Sequence, residues 1–123
     1  MSRALVVDDS RAVRMILTRI LGELGWDVVG AGDGIEALAL LDAGEEVDVA
    51  LVDWNMPNMD GLELVKELRE RDLPDLRVMM VTSESDLGRL VMAIEAGADE
   101  YAMKPFDAEV IREKLVLLGL GEV

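Results

Sequence analysis

The sequence predicts an α/β fold, a three-layer sandwich in which helices cover both faces of a five-stranded parallel sheet. Two observations predict it. Several short runs are apolar at every position, which is typical of strands buried on both faces, whereas half-exposed strands alternate in polarity. Segments with helical periodicity separate these runs, so strand and helix alternate five times, which favours parallel pairing with right-handed crossovers. The predicted strands are residues 4–7, 27–31, 49–52, 78–81 and 101–103.

The first predicted helix carries the clearest apolar stripe in the chain. Ser10 is suited to cap its N-terminus, and Gly25 is suited to end it in a left-handed conformation. Four further helices are predicted at residues 35–41, 62–68, 87–94 and 110–118, and Glu63 stands in the capping-box position after Asp60. The first stripe consists of Val13, Ile16, Leu17, Ile20, Leu21 and Leu24, and the caps of the later helices are Asp33, Asp60, Ser85 or Asp86, and Asp107.

Composition excludes several classes of protein. The chain has 123 residues, which fits one domain with its own core, and it contains neither cysteine nor histidine. Disulfides, thiolate nucleophiles, imidazole bases and the usual zinc ligands are therefore excluded. The formal net charge of −14 opposes binding to a phosphate backbone, and no apolar run approaches the roughly 20 residues that span a bilayer. We expect a cytoplasmic monomer that binds no nucleic acid and no membrane.

Reactive side chains stand directly after four of the predicted strands: Asp8 and Asp9, Asp53, Thr82, and Lys104. Because parallel strands end at the same edge of a sheet, we expect these side chains to lie close together. Three carboxylates in one partly buried place repel each other strongly, and a divalent cation relieves that repulsion. Magnesium suits the site best, because it takes oxygen ligands and is commonly held by one or two carboxylates together with waters and a phosphate oxygen. Calcium is the alternative.

This set of residues suits phosphoryl transfer to Asp53. Once a cation and Lys104 offset the negative charge, the Asp53 carboxylate can attack an electrophilic phosphorus and become an acyl phosphate. Such a transfer needs in-line positioning and compensation of charge on the equatorial phosphoryl oxygens. Lys104 and Thr82 are placed to provide that compensation.

Four motifs at the strand ends resemble the signature of bacterial two-component response-regulator receiver domains. They are Asp8-Asp9 after the first strand, Asp53 after the third, Thr82-Ser83 after the fourth and Lys104-Pro105 after the fifth. The stretches at residues 53–61 and 104–106 resemble the chemotaxis members of that family in particular. The resemblance covers the whole chain and implies a single receiver domain over residues 1–123, without an output domain. It also implies a flavodoxin-like fold with strand order 2-1-3-4-5.

The resemblance implies a role for each acidic residue of the site. Asp53 is expected to be the phosphoacceptor, which takes a phosphoryl group from a histidine of a sensor kinase. Asp9 and Asp53 are expected to bind Mg²⁺ directly, Asp8 to act mainly through water, and the backbone carbonyl of Asn55 to be a further ligand.

Signal transmission, as the resemblance implies it, begins at Thr82. Thr82 and Lys104 are expected to contact the phosphoryl oxygens, and the Lys104–Pro105 peptide bond is expected to be cis. If the Thr82 hydroxyl moves toward the phosphoryl group, the ring of Tyr101 can enter the space it leaves. That movement would change the proportion of molecules in each of two conformations, which differ in how the face formed by the fourth helix, fifth strand and fifth helix is packed. Trp54, next to Asp53, is expected to report Mg²⁺ binding through its fluorescence.

Partner binding is the output that the resemblance implies. The chemotaxis-like stretches favour a flagellar motor switch protein, while a phosphotransfer domain in a relay, or a role as a phosphate sink, remain open. Acidic residues near the expected output face predict an acidic surface there: Asp86, Glu95, Asp99 and Glu100.

Two other classes of protein use a similar architecture. A flavodoxin-like FMN-binding protein needs amide and hydroxyl donors after the first strand, whereas Asp8 and Asp9 would repel the FMN phosphate. An aspartyl phosphatase of the haloacid dehalogenase type carries an Asp-x-Asp motif at one strand end, which residues 8–10 do not match. We therefore expect a protein that is labelled once, not a multiple-turnover enzyme.

Overall fold

A parallel sheet with strand order β2-β1-β3-β4-β5 forms the centre of the structure. The structure is a computed structural model and describes residues 2–83 and 87–121. Within these residues five strands and five helices alternate along the chain, as predicted. They are β1 (Arg3–Val7), α1 (Arg11–Glu23), β2 (Asp27–Ala31), α2 (Gly34–Asp42), β3 (Val49–Val52), α3 (Gly61–Glu70), β4 (Arg77–Thr82), α4 (Leu87–Ala96), β5 (Glu100–Met103) and α5 (Ala108–Leu117).

The register of the strands brings their C-terminal ends to one edge. Val7 at the end of β1 lies opposite Ala31 of β2 and Val52 of β3, and Thr82 at the end of β4 lies opposite Met103 of β5. The predicted fold class, strand order and common edge are confirmed.

Strand side chains alternate between two separate hydrophobic clusters, one on each face of the sheet. In β1, Leu5 and Val7 belong to the cluster that includes buried residues of α2, α3 and α4. Ala4 and Val6 belong to the cluster that includes buried residues of α1 and α5. Because both faces are covered, every residue of β3 is buried, which explains why the strand sequence shows no alternation in polarity.

The helices begin at the predicted caps wherever the structure describes them. The side chains of Ser10, Asp33, Asp60 and Asp107 each accept a hydrogen bond from a backbone N–H in the first turn of their helix, and Asp60 completes the capping box with Glu63. Gly25 has a φ of 91°, as expected for a left-handed helix stop. The predicted caps of α4, Ser85 and Asp86, lie outside the described residues. Across the part of the chain that the structure describes, no helix combines the length and hydropathy needed to cross a membrane.

The start of α3 packs directly beneath the loop that follows β3. The Gly61 N–H donates a 2.8 Å hydrogen bond to the carbonyl oxygen of Trp54. A β-carbon at position 61 would overlap the carbonyl oxygen of Asp53 and would lie 2.9 Å from the α-carbon of Trp54. A residue without a side chain is therefore required where this helix meets the loop.

We expect Gly61→Ala to lower the free energy of unfolding by about 1–3 kcal/mol, because the new methyl group forces the backbone of the loop to shift. Gly22→Ala is the matched control, since a β-carbon at Gly22 in α1 would meet no atom within 4 Å apart from its neighbours in the chain and the adjacent backbone of its own helix. That control should stabilise the protein by about 0.5–1 kcal/mol. Urea denaturation of both variants measures the difference, and an unchanged midpoint for Gly61→Ala would contradict the packing described.

Candidate functional site

Three carboxylates meet at the C-terminal edge of the sheet. Asp8 and Asp9 follow β1, Asp53 follows β3, and one carboxylate oxygen from each lies within 4.8 Å of the others. Asp8 and Asp53 are buried, whereas Asp9 is exposed. The predicted convergence of these residues is confirmed, and it follows from the parallel register of β1 and β3.

Lys104 supplies the positive charge that faces this cluster. Its ammonium group donates a 2.8 Å hydrogen bond to Oδ2 of Asp8 and lies 3.5 Å from Oδ1 of Asp53. The Lys104 backbone N–H donates to the carbonyl oxygen of Thr82, which fixes the end of β5 against the end of β4. The Lys104–Pro105 peptide bond is cis, as the resemblance implied.

Asp53 has an unusual electrostatic environment. Burial and the negative charge of Asp8 raise the pKa of its carboxyl group above its ordinary value, and together they outweigh the opposing influences of Lys104, Thr82 and the Trp54 N–H. That N–H donates a 2.9 Å hydrogen bond to Oδ1 of Asp53. A single ammonium group thus compensates the cluster only in part, and the site favours any further positive charge.

The donor set fits a hard divalent cation. Each of the three acidic residues offers a carboxylate oxygen, and the burial of two of them limits competition from bulk water. Oxygen ligands in this number leave coordination positions for water and for an oxygen of a bound group, which is the arrangement that Mg²⁺ prefers. Asn55 is exposed two residues after Asp53, and the role of its backbone carbonyl stays a prediction.

Thr82 and Tyr101 lie on the same face of two neighbouring strands. Thr82 is fully buried at the end of β4, and its side chain is close enough to Asp53 to lower the pKa of that carboxyl group. Tyr101 on β5 is opposite Met80, two residues before Thr82, and its side chain is partly buried against the cluster on the α2–α3–α4 side. The two side chains are therefore diagonal neighbours, as a coupled pair requires.

Sequence reasoning missed three contacts around the site. Arg14 of α1 donates a 2.6 Å hydrogen bond to the carbonyl oxygen of Asp8. Asn58 has a φ of 68°, and its side-chain amide donates a 2.7 Å hydrogen bond to Oδ2 of Asp33 at the start of α2. The guanidinium of Arg89 on α4 lies 5.6 Å from the ring centroid of Trp54. The only sequence signal for any of them is Asn58, because asparagine tolerates a left-handed backbone better than most residues.

The predicted acidic output surface is wrong in part. Asp99 forms a 2.8 Å ion pair with Arg69 of α3 and also accepts a 2.8 Å hydrogen bond from the Val78 N–H, so it joins α3, β4 and β5. Glu100 pairs with Lys114 of α5 at 3.3 Å. Their charges are largely compensated, because each acid finds a cation from a helix that is distant in sequence.

A third acid of the predicted surface has a different environment. Glu95 is exposed on α4, whereas Asp86 lies outside the described residues.

Comparison with known proteins places this site in a family. The response regulator receiver domain family matches residues 4–116. The chain belongs to this family. Over 122 residues the receiver domain is 45% identical to a chemotaxis protein CheY homolog of Campylobacter jejuni, and the aligned part covers 97% of this chain and 94% of the relative.

Solved structures of other receiver domains share the fold over nearly the whole chain. Chemotaxis protein CheY4 of Vibrio cholerae is 33% identical and superposes with a TM-score of 0.90, over 96% of this chain and 98% of that one. The response regulator TrrA of Thermotoga maritima, solved in complex with Mg²⁺ and BeF, is 35% identical with a TM-score of 0.85, over 96% and 99% of the two chains. The receiver domain is thus a response regulator of the two-component type and is similar to the CheY chemotaxis proteins.

Asp53 should make the stability of the metal-free protein depend on pH. Its folded pKa is raised above the ordinary value of 3.8, so the native state favours the protonated carboxyl. The stability that protonation provides is present below that ordinary value and is lost as the pH rises through the folded pKa. We expect Asp53→Asn, which cannot ionise, to gain stability relative to the wild type as the pH rises from about 4 to about 7.

Urea denaturation of both proteins in the presence of a chelator measures this difference. Subtracting one unfolding free energy from the other removes the contributions of acids elsewhere, such as Asp33, whose pKa is lowered. A difference that stays constant over this pH range would contradict the electrostatic description of Asp53.

Proposed function

We propose that this receiver domain is a stand-alone signalling switch that accepts a phosphoryl group on Asp53 from a sensor histidine kinase and then changes its binding to a partner protein. The observation that carries the proposal is the convergence of three carboxylates at the end of the sheet, two of which, Asp8 and Asp53, face the Lys104 ammonium group. Repulsion within such a cluster costs stability when no cation is bound, and strongly perturbed acidic groups in one place are typical of functional sites. The similarity to chemotaxis proteins favours a role in chemotaxis.

In the proposed reaction an oxygen of the Asp53 carboxylate attacks the phosphorus of a phosphohistidine. The new oxygen–phosphorus bond forms as the phosphorus–nitrogen bond breaks, and the electron pair of the broken bond stays on the imidazole nitrogen, which takes up a proton. Lys104 stands within reach of Asp53, so its ammonium group compensates charge on the equatorial oxygens. Mg²⁺, when bound to the carboxylates, supplies further compensation of that charge.

Thr82 provides the proposed link between the phosphoryl group and the output. Its side chain is close enough to Asp53 to lower the pKa of that carboxyl group, so phosphorylation of Asp53 brings phosphoryl oxygens within reach of the Thr82 hydroxyl. Tyr101 is its diagonal neighbour on β5, and a change in the position of Thr82 alters the space open to the Tyr101 ring. The result is a shift between two packings of the α4–β5–α5 face and not a new fold.

The α4–β5–α5 face has the apolar character that partner binding needs. Leu87, Val91 and Ile94 are spaced at i, i+4 and i+7 on α4 and share one side of that helix. All three are exposed, as is Met103 on β5. We propose that a flagellar motor switch protein or a phosphotransfer domain binds this face. We also propose that the chain acts in the cytoplasm as a monomer and is not a multiple-turnover enzyme.

Acetyl phosphate should label the wild-type protein once, in the presence of Mg²⁺, and chelation of the metal should prevent the labelling. We expect Asp53→Asn to abolish the phosphoryl adduct, because an amide does not form an acyl phosphate. Asp72→Asn is the matched control, since Asp72 is exposed in the loop after α3. Mass spectrometry of the intact proteins measures the adduct, and full labelling of Asp53→Asn would refute the assignment.

A matched pair of surface substitutions tests the output face. Ile94→Glu on α4 should prevent capture of the partner by the phosphorylated protein, because a charged side chain cannot be desolvated against an apolar surface without cost. Ile35→Glu is the control, because Ile35 is exposed on α2 to a similar extent, 52% against 47% for Ile94. Equal capture by the two variants in a pull-down would place the partner site elsewhere.

A further inference from the structure

Arg14 holds the peptide unit that joins the two acidic residues after β1. Its guanidinium Nη1 donates a 2.6 Å hydrogen bond to the carbonyl oxygen of Asp8. That carbonyl belongs to the same planar peptide group as the backbone nitrogen of Asp9. The hydrogen bond therefore fixes the plane from which the backbone of Asp9 continues.

The carboxylate of Asp9 has no comparable support of its own. Among residues 2–83 and 87–121 no donor bonds to it, and the residue is exposed. Asp8, in contrast, is fixed by Lys104 on one carboxylate oxygen, by the Ser10 N–H on the other, and by a hydrogen bond from its own N–H to the carbonyl oxygen of Ala31. The direction of the Asp9 side chain thus depends on its backbone.

Strand β2 leaves room for the Arg14 side chain. Gly30 occupies a position within this strand, where glycine weakens strand packing and often marks the close approach of another group. A β-carbon at Gly30 would lie 3.7 Å from Cδ of Arg14, and one at Gly32 would lie 3.7 Å from its Nη1. The Arg14 side chain thus passes close to both glycines, where a β-carbon alone would make ordinary contact with it and a larger side chain would compete with it for space.

We propose that Arg14 is a positioning residue for the cation site: it orients the Asp8–Asp9 peptide so that the Asp9 carboxylate faces Asp8 and Asp53. This inference rests on the proposed function in one respect only, that the three carboxylates bind Mg²⁺. Groups that orient metal ligands matter for affinity, because a ligand that must first be ordered binds less tightly.

The direction in which Mg²⁺ affinity changes when Arg14 is removed distinguishes a positioning role from an effect of its charge. Arg14 is positive, so its removal would strengthen Mg²⁺ binding if it acted on the cation through charge alone. If Arg14 acts by orienting Asp9, its removal weakens Mg²⁺ binding. The expected loss is about 10-fold, as for other groups that orient metal ligands. The two explanations predict opposite changes for the same substitution.

The experiment is a titration of the intact protein with Mg²⁺, followed by Trp54 fluorescence, for the wild type, Arg14→Met and Arg19→Met. Arg19 is on the same helix and is largely exposed, and it forms an ion pair with Glu23. We expect Arg14→Met to weaken Mg²⁺ binding about 10-fold and Arg19→Met to stay within about twofold of the wild type. Equal or tighter binding by Arg14→Met would overturn the proposal.

Gly30→Val tests the same point without changing any charge. Its branched side chain would occupy the space of the Arg14 aliphatic carbons, so it should weaken Mg²⁺ binding although Arg14 is retained. This variant decides the matter if Arg14→Met does not fold, and wild-type affinity in Gly30→Val would then count against the proposal.

A measurement on the metal-free protein reads the positioning directly. In a two-dimensional NMR spectrum, the amide resonance of Asp9 should shift and broaden in Arg14→Met and should stay unchanged in Arg19→Met. An unperturbed Asp9 amide in Arg14→Met would show that Arg14 does not set this peptide. If the wild-type protein binds no Mg²⁺, the proposed function is contradicted. If the wild type and Arg14→Met bind Mg²⁺ equally tightly, only the role of Arg14 is contradicted.

Discussion

Repulsion among Asp8, Asp9 and Asp53 is the constraint on which the remainder of the site depends. The parallel sheet brings the ends of β1 and β3 to one edge, so the backbones of the three residues stay close together as long as the strands pair. Lys104 compensates part of the charge, yet the pKa of Asp53 remains raised. The packing of the surrounding structure therefore has to offset this repulsion. Binding of a cation, alone or together with a phosphoryl group, reduces the repulsion and stabilises the site.

Much of the fold was predictable because its determinants are local. Buried strands lack a solvent-facing side, so their sequences are apolar throughout, and a cap such as Asp60 with Glu63 three residues later marks a helix start unambiguously. The convergence of Asp53 and Lys104 was predictable for a related reason. Once the strands are parallel, any residue directly after a strand must lie at the common edge, whatever its distance along the chain.

Apart from the hydrogen bond of Arg14, the contacts that sequence reasoning missed join elements that are distant in sequence. The Asn58 amide meets Asp33 and Arg69 meets Asp99 only because loops of a particular shape bring them together, and no periodicity encodes that shape. The same limit explains the error on the output surface. The sequence shows that Asp99 is acidic, but it does not show that Arg69, on another helix, compensates that charge.

The alternation of side chains along β4 has a consequence for how a signal can spread. Thr82 has the same parity as Val78 and Met80, whose side chains lie in the cluster that contains Ala93 of α4, while Met79 and Val81 lie in the other cluster. A change that begins at the Thr82 hydroxyl would therefore reach the α4 side of the sheet first. A hydroxyl one position earlier or later along the strand would face the cluster that contains the buried residues of α1 and α5 instead.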